Sequence, residues 1–505
     1  MVKETLDAPY SHYLFDSGLS QKMDRRTIQE MEIDGFTLME VAGASAAKIL
    51  FQQKKLTHGI YLCGKGNNAG DALVVARYML QHDITATIVF LSGSDDLSPD
   101  TQKNLELLRK FNSNDKLTIW EGWEQFNPPE EFDFIIDGML GTGLSSDVRG
   151  DYIKAIEWAN KQSQPVFAMD IPTGLHADSG KIMGTAIEAH TTFTFGGRKL
   201  GLYLGNGPEK AGSIHYCELP FPNQFKGDCN NYLLDESWIQ VDSPTPGQHK
   251  YNSGVLYIIA GSEGLTGAAI MAAQSAWAEG LGAVILICPK GILPTYEQAL
   301  PSIIKKPVGS RNDFFFKKDH SNQVVKILSE KEGALLLGPG LGREQSTVNF
   351  VQEVLSQTTS PTVIDADGLW CLAQLDELPK HEQSEWILTP HPGELNGLTQ
   401  NNELQKESRL NTIRKYAQAA GVTLLAKGMP AIVGTPTGKC YLTNYDTKYF
   451  SRAGSGDVLA GKVSARLALA YSPDTSCAHG LLKGKQKLEN YLKHHQDLPE
   501  PNDFI

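Results

Sequence analysis

The sequence predicts two α/β domains in tandem, each built on a mostly parallel sheet. Short apolar β-rich runs alternate with stretches of helical spacing along the whole chain, which is the pattern of βαβ units. The alternation breaks once, in a stretch rich in Pro, Gly, Asn and Asp around residues 226–248. A length of 505 residues allows two or three domains at roughly 150 residues each. The expected organisation is a first domain over 1–225, a linker over 226–248 and a second domain over 249–505.

Two helices, Ser20–Glu32 and Leu38–Phe51, precede the first strand. Strands are then expected at Ile60–Cys63, Ala86–Leu91, Phe132–Asp137, Val166–Asp170 and Thr192–Phe195, with helices at Ala72–Gln81 and Tyr152–Lys161. After the linker, strands follow at Val255–Ala260, Ala283–Cys288, Ala334–Leu337, Thr362–Asp365, Trp386–Thr389, Thr423–Ala426 and Ala431–Val433. Nearly every strand runs directly into Gly with Asp, Asn, His or Lys. In open parallel sheets ligands bind at the carboxyl ends of strands, so both halves read as sites.

Composition narrows the function. The formal charge is −12, with 20 basic and 29 acidic residues in 1–225 and 26 and 29 in 226–505. Neither half carries the basic stripe that nucleic acid requires; Lys305-Lys306, Lys317-Lys318 and Lys483–Lys487 read as solvated faces. The longest apolar runs fall short of the roughly 18–20 residues of a membrane span. The polar first residues do not resemble a signal peptide. Seven scattered Cys without a CxxC pair fit a reducing compartment, so a soluble cytoplasmic protein is expected. His479, Cys477 and His494-His495 lack metal-ligand spacing and read as surface polarity.

In the first half, strand Ile60–Cys63 opens into GKGNNAGDALVVAR (Gly64–Arg77). Free N–H groups at such a helix start suit a phosphate, and the Asn68 amide oxygen could coordinate a hard monovalent cation. The alternative is a tight turn with Asn as helix cap and Asp71 in the first turn. Strand Phe132–Asp137 ends in DGMLGTGLSSDVRG, and strand Val166–Asp170 ends in DIPTGL. In a parallel sheet these three strand ends converge on one crevice.

In the second half, GSEGLTGAA, GPGLG, DADGL (with Asp365 and Asp367), TPHPGEL (with His391 and Glu394) and AKGMPA each follow a strand. The segment SRAGSGDVLAGK places Asp457 in the first turn of a helix opened by Gly454-Ser455-Gly456. Free N–H groups there would stabilise a transferring phosphoryl group, and the carboxylate could take a hydroxyl proton. The plainer alternative is a Gly-rich helix start with Asp favoured by the dipole, worth about 0.3–1 kcal/mol.

The motifs LMEVAG, GNNAGDA, DGMLGTG, DIPTGLHADSG and TFTFGGRKLG resemble the NAD(P)H-hydrate epimerases, which have a Rossmann-like three-layer α/β/α fold. This chain has Ala69, Ala72 and Thr173 where the usual pattern GNNGGDG and IPSG has Gly, Gly and Ser. The resemblance implies a potassium site at Asn68, Asp137 and Thr173. It implies substrate contacts at Asn67, Asn68, Ala69, Gly70 and Asp71, at Gly141, Thr142, Gly143, Leu144, Ser145, Ser146 and Asp147, and at Asp170. The substrate's C6 carries both a hydroxyl and the ring nitrogen, so its inversion through an open or iminium form needs a positioned proton carrier; Asp170 is expected in that role.

The span from His249 to about Gly480 is similar to the ribokinase-like NAD(P)H-hydrate dehydratases, with HKYNSG where that family usually has HKGSxG. This implies hydrate contacts at Ala268, Gly342, His391 and Asp457, and nucleotide contacts at Lys427, Gly428, Met429, Pro430, Ala431 and Gly456. It also implies ADP as phosphoryl donor, with ATP left open, assisted by Mg²⁺, and Asp457 as catalytic base. The expected activity is epimerisation of hydrated nicotinamide cofactors (NADHX and NADPHX) coupled to their dehydration, in a homo-oligomer that binds neither nucleic acid nor membrane. Two other readings share some motifs: a vitamin-precursor kinase of the ribokinase superfamily with a fused accessory domain, and a first half that only binds.

Overall fold

Successive strand residues in the first half point to opposite sides of a sheet, and both sides are apolar. In the computed structural model, which describes residues 6–52, 56–111, 115–238, 254–379, 385–400 and 403–505, Tyr61 and Cys63 pack on one face with Phe90, Phe134 and Ile136. Ile60 and Leu62 pack on the other with Val89 and Ile135. Burial on both faces is what continuous apolar runs dictate. The described residues divide into two compact units, one within 9–231 and one within 232–505 together with residues 6–8.

In the first unit seven strands lie in the spatial order Leu117–Glu121, Thr85–Phe90, His58–Cys63, Phe134–Gly138, Val166–Met169, Thr191–Phe195 and Ser213–Cys217. Every neighbouring pair is parallel. The chain winds outward from His58–Cys63 in one direction, then returns beside it at Phe134–Gly138 and winds the other way. The crevice between those two strands is the topological switch point, where ligands bind in such sheets. Helix Asn67–Gln81 leaves one of them, and the loop after Gly138 leaves the other.

The second unit holds a ten-stranded sheet in the order Asn231–Leu234, Cys440–Thr443, Ile432–Gly434, Thr423–Ala426, Trp386–Leu388, Thr362–Ile364, Ala334–Leu337, Val255–Ile259, Ala283–Pro289 and Ile304–Val308. The pairs from Thr423–Ala426 through Ile304–Val308 are parallel, whereas Ile432–Gly434 is antiparallel to both of its neighbours. Leu337, Ile364 and Leu388 are level with one another, which brings the acidic and Pro-rich loops after them to one rim.

The predicted elements are present with ends shifted by a few residues. Strands Leu117–Glu121, Ser213–Cys217 and Ile304–Val308 were not foreseen. Each lies at a sheet edge and is only partly buried, so its apolar signal is weak. Within the stretch read as a linker, Asn231–Leu234 hydrogen-bonds into the second sheet; residues 239–248 of that stretch, and 249–253 of HKYNSG, lie outside the described residues. The surface reading of Cys477 and His479 is corrected: both are buried in helix Pro473–His494, whose inner side packs toward helix Ser455–Ala468 with Gly480 close to Val463. All seven cysteines are buried, and none is in a disulfide.

Candidate active sites

At the switch point of the first sheet lies a cavity of about 710 Å³. Helix Asn67–Gln81 begins after Gly66, which caps it without a side chain. No Asn caps this helix; the Asn67 amide oxygen instead accepts from Ser98 Oγ at 2.6 Å. The first turn therefore presents backbone N–H groups to the cavity, the arrangement that favours an anion.

Beneath this turn four oxygen-bearing groups are knitted together. Thr173 donates through its N–H to Asp137 Oδ2 at 2.8 Å and through its hydroxyl to Oδ1 at 2.6 Å. Leu140 N–H donates to Thr173 Oγ1 at 3.0 Å, and Asn68 Nδ2 donates to Leu140 O at 3.3 Å. The turn that brings Thr173 here requires Gly174: its φ is 92°, and a Cβ would meet Thr185 O at 1.9 Å. Burial pushes the fully buried Asp137 up to about 6, against the Thr173 hydrogen bonds. Asn68 is 7% exposed, and its side-chain oxygen is buried without a hydrogen-bond partner among the described residues. An orphaned amide oxygen beside a carboxylate, a hydroxyl and a carbonyl fits a hard monovalent cation.

Asp170 stands across the cavity in a left-handed conformation, φ 62°, which costs a non-Gly residue about 1–3 kcal/mol and clusters at functional sites. Its Oδ1 receives Lys199 Nζ, and also Phe195 N–H at 3.2 Å. Asp24 and Asp71 line the same cavity. Neither the role of Lys199 nor that of Asp24 was legible: Asp24 sits on a helix that precedes the first large strand and belongs to no local motif.

The second cavity, about 590 Å³, opens at the carboxyl rim of the other sheet. Helix Ser455–Ala468 starts after Gly454, which has φ 98° and provides no side-chain cap. The helix is pinned from behind by Ser275 Oγ, which donates to Val458 O at 2.7 Å, and by buried Glu279, which pairs with Lys462 at 3.2 Å and Arg466 at 2.9 Å. Asp457 in its first turn faces the cavity together with Lys427 and His391. Burial first, then the Asp365 carboxylate, pushes Asp457 up to about 7, against Lys427. Ser455 Oγ is buried without a partner among the described residues.

Lys427 Nζ and Thr389 Oγ1 both donate to Asp365 Oδ1. His391 and Glu394 form a reciprocal cap on helix Pro392–Thr399. His391 Nδ1 accepts from Gly393 and Glu394 N–H, and Glu394 Oε2 accepts from His391 N–H at 2.8 Å. Nδ1 is thereby an acceptor, which leaves the ring proton on Nε2 and the imidazole neutral. Burial and Lys427 hold His391 below its ordinary range.

Most of the predicted positions come together. Asn67, Asn68, Asp71, Asp170 and Gly141 through Ser146 line the first cavity; His391, Lys427, Gly428, Met429, Ala431, Gly456 and Asp457 line the second. Ala69 and Gly70 turn inward: Ala69 is fully buried in the apolar cluster, and a Cβ on Gly70 would strike Met39. Asp147 is exposed outside the lining. Pro430 is also outside; its carbonyl accepts from Arg409 at 2.7 Å. Ala268 and Gly342 sit near Ser262 and Gly340 at the second sheet's switch point, tied to the rim by Asp367, whose Oδ2 accepts from Gly342 N–H at 3.0 Å. Tyr445 and Phe450 line the second cavity without any motif having marked them.

Residues 256–497 match the family described as NAD(P)H-hydrate dehydratase, and residues 35–201 match the one described as YjeF-related protein N-terminus. The bifunctional NAD(P)H-hydrate repair enzyme of Salinibacter ruber is 35% identical over 94% of this chain and 91% of its own length. That of Moorella thermoacetica is 31% identical over 93% and 90%. The solved ADP/ATP-dependent NAD(P)H-hydrate dehydratase of Bacillus subtilis, co-crystallised with ATP and Mg²⁺, is 23% identical with a TM-score of 0.46, covering 54% of this chain and 94% of its own. With relatives matched along nearly their full length, the chain belongs to the bifunctional NAD(P)H-hydrate repair enzymes.

Proposed function

We propose that the protein repairs hydrated NADH and NADPH in two steps, epimerisation at C6 in the unit of residues 9–231 and nucleotide-dependent dehydration in the unit that follows. The observation that carries the reading is Asp457, set at the uncapped start of helix Ser455–Ala468 in a cavity shared with Lys427 and His391. The Asp457 carboxylate accepts the C6 hydroxyl proton as that oxygen attacks the β-phosphorus of ADP, releasing AMP. The helix N–H groups hold the charge on the transferring phosphoryl oxygens. The ring nitrogen pair then expels phosphate, and loss of a C5 proton restores the dihydropyridine.

Lys427 and the Gly428–Ala431 loop are proposed to hold the nucleotide, and His391 the hydrate. Among the described residues no group of three or more His, Cys, Asp or Glu forms a ready metal site. Mg²⁺ would therefore enter on the nucleotide phosphates, as it usually does, beside the oxygen donors of Asp365 and Asp457. It would neutralise phosphate charge.

In the first unit, Asn68, Asp137 and Thr173 are proposed to hold K⁺, which supplies a fixed positive charge beneath the anion site. Asp170 carries the proton at C6. Buried cysteines outside any disulfide support a reducing compartment, and we place the enzyme in the cytoplasm. The test incubates (S)-hydrate with ADP and Mg²⁺ and follows AMP, phosphate and dihydronicotinamide absorbance. Stoichiometric return of all three is expected. A stable phosphorylated product with no return of absorbance would identify a kinase instead.

A further inference from the structure

The first cavity distributes charge unevenly over its aspartates. Lys199 is 3% exposed, and it pairs with Asp170 Oδ1 while also donating to Phe195 O at 2.7 Å. Because Phe195 N–H takes the same carboxylate oxygen, Oδ1 is committed. Oδ2 of Asp170 has no hydrogen-bond partner among the described residues, and Asp170 lines the cavity. Asp71 lines it too, without an ion pair of its own among the described residues. Desolvation, with Asp170 and Asp24 adding to it, pushes Asp71 well above the ordinary carboxyl range.

We propose that Lys199 is a positioning residue that divides the proton work between two aspartates. Asp170, held as the carboxylate, takes the C6 hydroxyl proton at Oδ2. Asp71, kept as the neutral acid, gives its proton to the ring nitrogen. The proposal rests on the reading of Asp170 as the proton carrier at C6. As the O–H proton moves to Asp170, C6 becomes an aldehyde carbon, the C6–N1 bond breaks and its electron pair stays on N1, which takes the Asp71 proton. Rotation about the C5–C6 single bond turns the other carbonyl face to N1. In closure N1 attacks that face, the N1 proton returns to Asp71, and the carbonyl oxygen recovers its proton from Asp170. No oxidant, reductant or net proton is consumed.

The titratable groups around Asp170 are Lys199, Asp71, Asp24 and the Cys217 thiol. Desolvation raises Asp24 to about 6 and Cys217 to about 12, so the thiol stays neutral. The test uses the full chain carrying Asp457→Asn, where epimer exchange is the reaction left, and separates the two epimers by chromatography across pH. Lys199→Met should slow exchange about 100-fold, and Lys199→Arg, which keeps the charge, should restore it. Asp71→Asn should lose about 100-fold at every pH.

Exchange that vanishes in Asp170→Asn but keeps its native rate in Lys199→Met overturns the division of labour and leaves Asp170 standing. Native exchange in Asp170→Asn removes the underlying reading itself. If Lys199→Met loses the thermal transition of the first unit, Asp71→Asn decides, and native exchange in that variant overturns the proposal.

Discussion

Lys427 Nζ donates to Asp365 Oδ1 at 2.7 Å, joining the ends of two strands that have Trp386–Leu388 between them. Thr389, at the end of that middle strand, donates to the same oxygen at 2.7 Å. Asp365 is 1% exposed, so its charge depends on these partners. Lys427→Met leaves a buried carboxylate unpaired, and we expect about 3–5 kcal/mol lost from the second unit together with its affinity for ADP. Denaturant unfolding and titration calorimetry measure the two. A loss under about 1 kcal/mol, the size of an exposed pair, would contradict the buried-pair account.

Asp457 joins catalysis to stability. Burial pushes its carboxyl up from an ordinary 3.8 to about 7 in the fold, so the folded state binds the extra proton between these pH values. Stability therefore falls as pH rises through that window, and the full cost is present above about 7. Asp457→Asn should abolish dehydration, raise the unfolding midpoint of the second unit at pH above 7 and leave it unchanged below pH 3.8. Wild-type dehydration of the free enzyme should rise with pH through about 7. A midpoint that shifts equally at both extremes would show that no buried proton is involved.

The potassium site proposed for the first unit would take the orphaned Asn68 oxygen as a ligand of the folded state. At a hundredfold excess over its Kd, K⁺ should stabilise this unit by about 2.7 kcal/mol. Asn68→Ala should lose that increment and slow epimer exchange, while dehydration of the (S)-epimer is untouched. Thermal melts in K⁺ against tetramethylammonium read the difference. An equal K⁺ increment in the variant would remove Asn68 from the site.

Much of both sites was legible because glycine loops and acids after apolar runs are local signals. Asp137 and Asp170 sit at strand ends of the first sheet, Asp365 and Lys427 at strand ends of the second, and parallel pairing alone brings each pair to the rim of its own sheet. The roles of Lys199, which lies within TFTFGGRKLG, and of Asp24 escaped because both depend on Asp170, a long-range relationship with no sequence period. Ala268 and Gly342 are near each other but not in the second cavity, since the switch point of that sheet is displaced from the rim where Lys427 and Asp457 meet. Edge strands such as Leu117–Glu121 escaped because partial burial erases the apolar run that marks a central strand.

Ala69 illustrates a substitution whose meaning depends on direction. It replaces the family's usual Gly beside the anion site, yet its methyl group packs in the apolar cluster. Ala69→Gly should cost about 1 kcal/mol in the helix and leave the KM for hydrate unchanged. Chemical unfolding and epimer-exchange kinetics check this, and a clear drop in KM would show that the methyl group does obstruct the substrate.

The most direct measurement gives an equal mixture of the two C6 epimers of the hydrate to the full chain with ADP, Mg²⁺ and K⁺ and follows recovered dihydronicotinamide at times short against spontaneous epimer exchange. We expect complete recovery with the native protein, recovery of one epimer only with Asp170→Asn, and none with Asp457→Asn. Complete recovery at the native rate in either variant would contradict the assignment of a separate proton-carrying aspartate to each unit.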